Sequence, residues 1–166
     1  MDPAMTPDEY ENVVADIVSG ICQNAPELDG FRLGSGRSNR LSGASGYKHQ
    51  IDVSLSGDNA IYLIECKRWK TKIGVEEVMV LAARATDIVQ GTNGVPIQAI
   101  LASKVGVTRG AKTLAEYFNI QLEVVRSAHE FGMRIGRNVR VGVASKLMVT
   151  DSITATVYPP ERAVEA

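Results

Sequence analysis

Between His49 and Lys67 lie two strand-like runs separated by a turn, and their spacing decides which side chains meet. His49, Ile51, Val53 and Leu55 alternate with Gln50, Asp52, Ser54 and Ser56, the period of two that puts successive side chains on opposite faces of a strand. Ser56-Gly57-Asp58-Asn59 is turn chemistry. Ile61-Tyr-Leu-Ile-Glu-Cys-Lys67 follows, apolar enough for a central strand covered on both faces. With Asp58-Asn59 at the tip of the hairpin, Asp52 lies opposite Glu65, and Lys67 stands two residues on along the same face. A tip centred on Gly57-Asp58 shifts the pairing by two residues and keeps the face. Opposed residues sit ~5 Å apart, where like charges destabilise a sheet unless something offsets them. Nearby in sequence, only Lys67 or a bound cation can do so for both acids. The plainer reading is a Glu65–Lys67 salt bridge on an exposed strand, which Ile61, Leu63 and Ile64 make too apolar to be exposed.

The rest of the chain supplies a frame for this hairpin. Thr6-Pro7-Asp8-Glu9 combines a capping Thr, Pro at the first helical position and Glu three residues after the cap. Tyr10, Val13, Val14, Ile17 and Ile21 recur at helical spacing, predicting a helix to about Gln23. Residues 34–46, rich in Gly, Ser and Arg, read as a mobile loop. Their Gly34-x-Gly36 fragment completes no nucleotide-binding pattern. A helix from Val75 to Val89 is expected to bury Val75, Val78, Met79, Ala82 and Val89, followed by a strand from Pro96 to Ala102. Thr108 caps a further helix burying Ala111, Leu114, Ala115 and Phe118, and Ile120 to Val124 forms a strand. Val139, Val141 and Val143, and then Ile153, Ala155 and Val157, alternate as two extra strands, the second ended by Pro159-Pro160. No repeat or linker divides the chain. The expectation is one α/β domain over residues 1–166, with a mixed sheet flanked by helices, a core at about 6–125 and a C-terminal strand extension at about 138–158. No structure is assigned to Met1–Met5.

Composition excludes several classes. The chain has 166 residues, 45% hydrophobic and 22% charged, ordinary for a globular domain. No apolar run approaches the ~20 residues that span a bilayer, and the N-terminus lacks a secretory pattern. The expectation is a cytoplasmic protein with no membrane partner. Cys22 and Cys66 are too few and too far apart for a disulfide framework or a zinc site, and both read as core residues. The net charge of −1 is unevenly spread. From Gly30 to Ile73, eight basic residues (Arg32, Arg37, Arg40, Lys48, Lys67, Arg68, Lys70 and Lys72) face three acids (Asp52, Asp58 and Glu65), a local charge of +5. Such a segment suits either a surface that tracks phosphates or a solvated strand-loop region.

Hard divalent cations take oxygen ligands, and Mg²⁺ is often held by one or two carboxylates with waters and a substrate phosphate. An ion between Asp52 and Glu65 can polarise a phosphate and acidify water, with Lys67 placed to stabilise developing charge. Gln50 shares the face of Asp52 and is a candidate substrate contact. His49 is either a phosphate or metal contact or a structural residue at the strand start. Trp69 is either a base-stacking residue or a packing anchor, and His129 reads as surface.

An Asp followed by Glu-x-Lys on the next strand resembles the signature of the PD-(D/E)XK nucleases. More narrowly, residues 6–125 are similar to Mrr-like restriction endonuclease catalytic domains. The likeness includes Glu11 in the first helix, the His49–Lys67 hairpin, Val107-Thr-Arg-Gly-Ala111 leading into a helix, and Ile120-Gln-Leu122. Ile51 stands where the named pattern has Pro. Several Mrr-like members carry Gln at the position of Glu65, so this copy resembles the metal-competent form. The resemblance implies a restriction-endonuclease-like fold with an α-β-β-β-α-β core, and Mg²⁺-dependent hydrolysis of DNA phosphodiesters, with Mn²⁺ able to substitute. It implies Asp52, Glu65 and the Cys66 carbonyl as metal ligands, and Glu11 is either a group acting on water or a second metal or an ordinary exposed helix glutamate. Arg37, Arg40, Lys48, Gln50, Arg68, Lys70 and Lys72 are the candidate DNA contacts, and a homodimer is expected. A prokaryotic restriction, defence or mobile-element role follows. The rivals are a resolvase or exonuclease of the same fold and a catalytically silent DNA-binding or dimerisation module.

Overall fold

A computed structural model describes residues 5–125 and, beyond them, the backbone of four strands. Helix α1 (Pro7–Asn24) starts as its sequence dictates. The Thr6 hydroxyl accepts from the Glu9 N–H at 3.2 Å, and the Glu9 carboxylate accepts from the Thr6 N–H, a reciprocal cap. A single 3-10 turn (Pro26–Leu28) leads into β1 (Arg32–Ser35), β2 (Arg40–Ser42), β3 (Lys48–Gln50), β4 (Val53–Ser56) and β5 (Ile61–Lys67). Then come α2 (Val75–Gly91), β6 (Ile97–Ser103), α3 (Arg109–Tyr117) and β7 (Gln121–Val124). The main sheet has the order β1-β4-β5-β6-β7. Its β1–β4 and β4–β5 pairs are antiparallel, while β5–β6 and β6–β7 are parallel.

Alternation along the strands sends two sets of side chains to two layers. Val53, Leu55, Tyr62, Ile64, Cys66, Ile100 and Ala102 are buried with the apolar stripe of α1. Ala99 and Leu101 pack with α2 and α3 on the other face. Both parallel crossovers run through helices on that second face, so the fold is a three-layer α/β/α sandwich. The hairpin register is the expected one: Val53 pairs with Ile64 and Ser56 with Ile61, and the Gly57 N–H reaches the Ala60 carbonyl at 3.0 Å.

Three expectations are corrected. The strand expected to run through 49–56 breaks at Ile51–Asp52. Ile51 packs with Ile61, Leu63 and Ile88, away from the layer that holds Val53 and Leu55. Asn39 holds the break. Its amide donates to the Ile51 carbonyl at 2.8 Å, and its side-chain oxygen accepts from the Ser54 hydroxyl at 3.0 Å. Secondly, part of the expected loop 34–46 is β2, paired with β3 in a hairpin pinned to α2. The Ala44 N–H reaches the Asp87 carbonyl at 2.9 Å, and the Asp87 carboxylate receives the Ser45 N–H and hydroxyl. Gly91 of α2 touches this turn so closely that a Cβ there would lie 2.8 Å from the Ala44 N and the Gly43 C. Thirdly, Val75 and Met79 are exposed on α2, whose buried side is Val78, Leu81, Ala82 and Ile88, and Phe118 stands at the C-cap of α3, 39% exposed.

The extension forms a separate four-stranded sheet in the order β10-β11-β9-β8, from β8 (Gly132–Ile135), β9 (Val139–Gly142), β10 (Ala144–Thr150) and β11 (Thr154–Tyr158). Two of these strands coincide with those read from the alternation. His129, Val143, Ile153 and Pro159-Pro160 lie outside the described residues, as do residues 1–4. Among the described residues no helix is long and apolar enough to cross a membrane.

Candidate active site

Three elements converge where β4 begins and β5 ends. Asp52, at the break, turns its Oδ2 to accept the Cys66 N–H at 2.7 Å. Glu65 is buried on β5, with Oε1 2.9 Å from Lys67 Nζ. Glu11 reaches the same neighbourhood from the first turns of α1. That helix is tied down beside it by the Tyr10 hydroxyl, which donates to the Val125 carbonyl at 3.2 Å. Burial, then Glu65, pushes the Asp52 carboxyl up to about 6, against the Cys66 N–H that favours its ionised form. Glu11 is raised as well, first by burial, then by Asp8 and Glu65. Burial and then Asp52 hold the Cys66 thiol well above its usual range, so its sulfur is core rather than chemistry.

The second helix completes the site with residues that sequence reasoning missed. Arg84 Nη1 meets Glu65 Oε2 at 2.8 Å, and Glu77 Oε2 lies 3.2 Å from Lys67 Nζ. Burial alone would lower the Lys67 ammonium's pKa, but Glu65 and Glu77 outweigh it and the net shift is upward. Glu77 and Arg84 stand on one stripe with the buried Leu81 and Ile88. Charged residues at helical spacing within a core-facing stripe were the available signal. Lys67 is the one side chain nearby in sequence able to offset the acids; Arg84, distant in sequence, adds a second cation at Glu65.

Four carboxylates (Glu11, Asp52, Glu65 and Glu77) thus face two cations (Lys67 and Arg84), a local charge of −2. Among the described residues no group of three or more His, Cys, Asp or Glu is already drawn together around a metal position. The side-chain donors are nevertheless all oxygen, and Asp52 and Glu11 are raised, first by burial and then by neighbouring carboxylates. Both facts suit a hard divalent ion if Glu65 turns from Arg84.

The basic residues divide. Arg40 and Lys48 are exposed on the β2–β3 hairpin, and Gln50, paired with Arg40, is exposed beside them. Lys70 and Lys72 are exposed on the loop after β5. Trp69 in that loop is 44% exposed, with Lys67 Nζ 6.0 Å from its ring centroid, so it is no packing anchor. Arg37 makes a long 3.8 Å pair with Asp8 in solvent, worth little. Arg68 is half-buried, close enough to act electrostatically on Glu9, and its Nε is buried without a partner among the described atoms. His49 is structural: its Nε2 lies 2.7 Å from Asp87 Oδ2.

The family model for restriction endonuclease (Mrr_cat) matches residues 3–128. Among solved structures, the chain is similar to a crystal structure of a protein of unknown function, AF1548, with 22% identity and a TM-score of 0.52 over 68% of this chain and 56% of that one. It is also similar to the MspJI restriction endonuclease in complex with a 27-mer oligonucleotide, with 13% identity and a TM-score of 0.41 over 70% of this chain and 25% of that one. The chain therefore spans little more than half of the first structure and a quarter of the second. No curated protein matches it.

Proposed function

Because the chain belongs to the Mrr-type restriction endonuclease family, whose members are nucleases acting on DNA, we propose that it is a Mg²⁺-dependent DNA endonuclease whose centre is Asp52, Glu65 and Lys67. The observation that carries this reading is the meeting of Glu11, Asp52, Glu65 and Lys67, brought from α1, the break before β4 and the end of β5. Asp52 and Glu65, with the Cys66 carbonyl, would hold the ion. When bound it draws charge from the attacked phosphate and makes water more acidic. Lys67 keeps its proton at Nζ, because Glu65 and Glu77 stabilise the ammonium. That fixed positive charge faces the oxygens on which negative charge develops. Glu11, held above the ordinary glutamate range, is a stronger base than an exposed glutamate and takes a proton from the attacking water. The new P–O bond forms as the bond to the leaving sugar oxygen breaks, and that oxygen takes a proton from solvent water. Arg37, Arg40, Lys48, Gln50, Arg68, Lys70 and Lys72 contact the DNA, and Mn²⁺ substitutes for Mg²⁺. Two copies acting together cut both strands, in a prokaryotic restriction, defence or mobile-element setting.

The test incubates supercoiled, linear and branched DNA with Mg²⁺, with Mn²⁺ and with chelator. The expected result is relaxation or linearisation of supercoiled DNA with either ion and none in chelator, abolished in Asp52→Asn and Glu65→Gln. Trimming confined to ends, or cutting confined to branches, gives the exonuclease or resolvase instead. Binding without cleavage gives the silent module. Full cleavage in chelator or in either variant overturns the carboxylate-held ion.

A further inference from the structure

The contact from Arg84 to Glu65 has no role in the proposed reaction, yet it occupies the one Glu65 oxygen that Lys67 does not hold. Glu65 is buried, and both of its oxygens are taken, Oε1 by Lys67 and Oε2 by Arg84. The two cations are not equally committed. Lys67 is also held by Glu77, so it keeps a partner if Glu65 turns away. Among the described residues, Arg84 has Glu65 as its one carboxylate within ion-pair distance. Its side chain is also more open to solvent than that of Lys67, 30% against 21%, so it can leave without burying an unpaired charge.

We propose that Arg84 is a positioning residue that stands in for the divalent ion at Glu65 and is exchanged for it. Without the ion, its guanidinium satisfies Glu65 Oε2, the oxygen Lys67 does not hold, so that the buried carboxylate has a cationic partner at both oxygens. As the ion binds, Glu65 turns from Arg84 to the ion, and Arg84 moves into solvent. The charge balance supports an exchange. With Arg84 in place the cluster carries −2, the charge one divalent ion offsets, and without Arg84 it carries −3. Removing the guanidinium therefore deepens the attraction for the ion and removes its competitor. The inference rests on the metal-dependent reading above, which its test keeps separate.

The experiment titrates Mg²⁺ calorimetrically, without DNA, into the wild-type chain, Arg84→Gln and Arg84→Lys. In parallel, the Arg84 Nε–Hε resonance of the wild-type protein is followed by NMR over the same Mg²⁺ range. The Gln variant should bind Mg²⁺ on the order of tenfold more tightly, while the Lys variant, which keeps the competing charge, should stay within about threefold of wild type. The Arg84 resonance should move with the calorimetric midpoint. That measurement needs no substitution, so a variant that failed to fold would not leave the question open. Unchanged or weaker Mg²⁺ binding in a folded Arg84→Gln, or a stationary Arg84 resonance while the wild type binds Mg²⁺, overturns the exchange and leaves the metal-dependent reading standing. A wild-type protein that binds no Mg²⁺ or Mn²⁺ overturns both.

Discussion

Asp52 is held in a position its charge resists, and pH exposes the conflict. Its folded pKa of about 6 lies above the ~3.9 of an unfolded aspartate. Its contribution to stability is therefore fully present below about pH 4 and is lost as pH rises through about 6. In chelator, Asp52→Asn should melt above wild type at pH 8, with the gap closing towards pH 4. Thermal melts across that range check this, and a gap independent of pH would mean that the carboxylate's charge is not the source of the strain. The proposed mechanism makes the opposite demand, since only the carboxylate would hold the ion. Cleavage at low Mg²⁺ should rise through about pH 6, while high Mg²⁺ moves the limb to lower pH. The residue that costs the ion-free fold stability is thus the one the proposed chemistry needs.

The β2–β3 hairpin shows how a single carboxylate can set the position of an element. Asp87 accepts from the Ser45 hydroxyl at 2.6 Å and lies 2.7 Å from His49 Nε2. The Ser45 hydroxyl first, then His49, hold it at about 2. Because that pKa is depressed, the contribution is present above about pH 4 and is lost only as pH falls through about 2. The clamp therefore stays shut over the working range. Asp87→Ala should free the hairpin: hydrogen exchange should accelerate for the amides between Gly43 and Tyr47, with β5 unchanged. Equal exchange in both proteins would remove the clamp. The same element shows where reading from sequence runs out. The β4–β5 register was legible because alternation and a Gly-Asp-Asn turn act locally. Asp52 and Glu65 followed from that register, whereas Glu11 came from the family resemblance and Glu77 from neither. The break at Ile51–Asp52 was not legible, because it depends on Asn39 and on strand pairing inside a Gly- and Ser-rich stretch without an apolar period. Arg84 escaped because its partner lies 19 residues away in sequence, across a helix–sheet interface.

Across the whole molecule, charge and symmetry make the remaining predictions. Arg37, Arg40, Lys70 and Lys72 are exposed on segments either side of β4 and β5. Replacing all four by Ala should weaken binding to unrelated duplexes alike and flatten the salt dependence, by roughly 0.9 in slope for each phosphate no longer neutralised. Wild-type affinity in that variant at low and moderate salt would reduce the basic region to solvated surface. A homodimer is expected through the extension sheet or α2, which leaves Val75, Met79 and Val80 exposed. Sedimentation at micromolar concentration checks it, and a monomer still making double-strand cuts rules it out. The seam between α2 and the hairpin carries one more consequence. A Cβ on Gly91 would strike backbone, and one on Gly43 would fall within 1.9 Å of the Asp87 carboxylate. Saturation mutagenesis scored by cell phenotype would thus rank two inert glycines beside the acids. A genetic map of the molecule would draw its functional centre too large, stretched along α2 towards residues that touch no substrate.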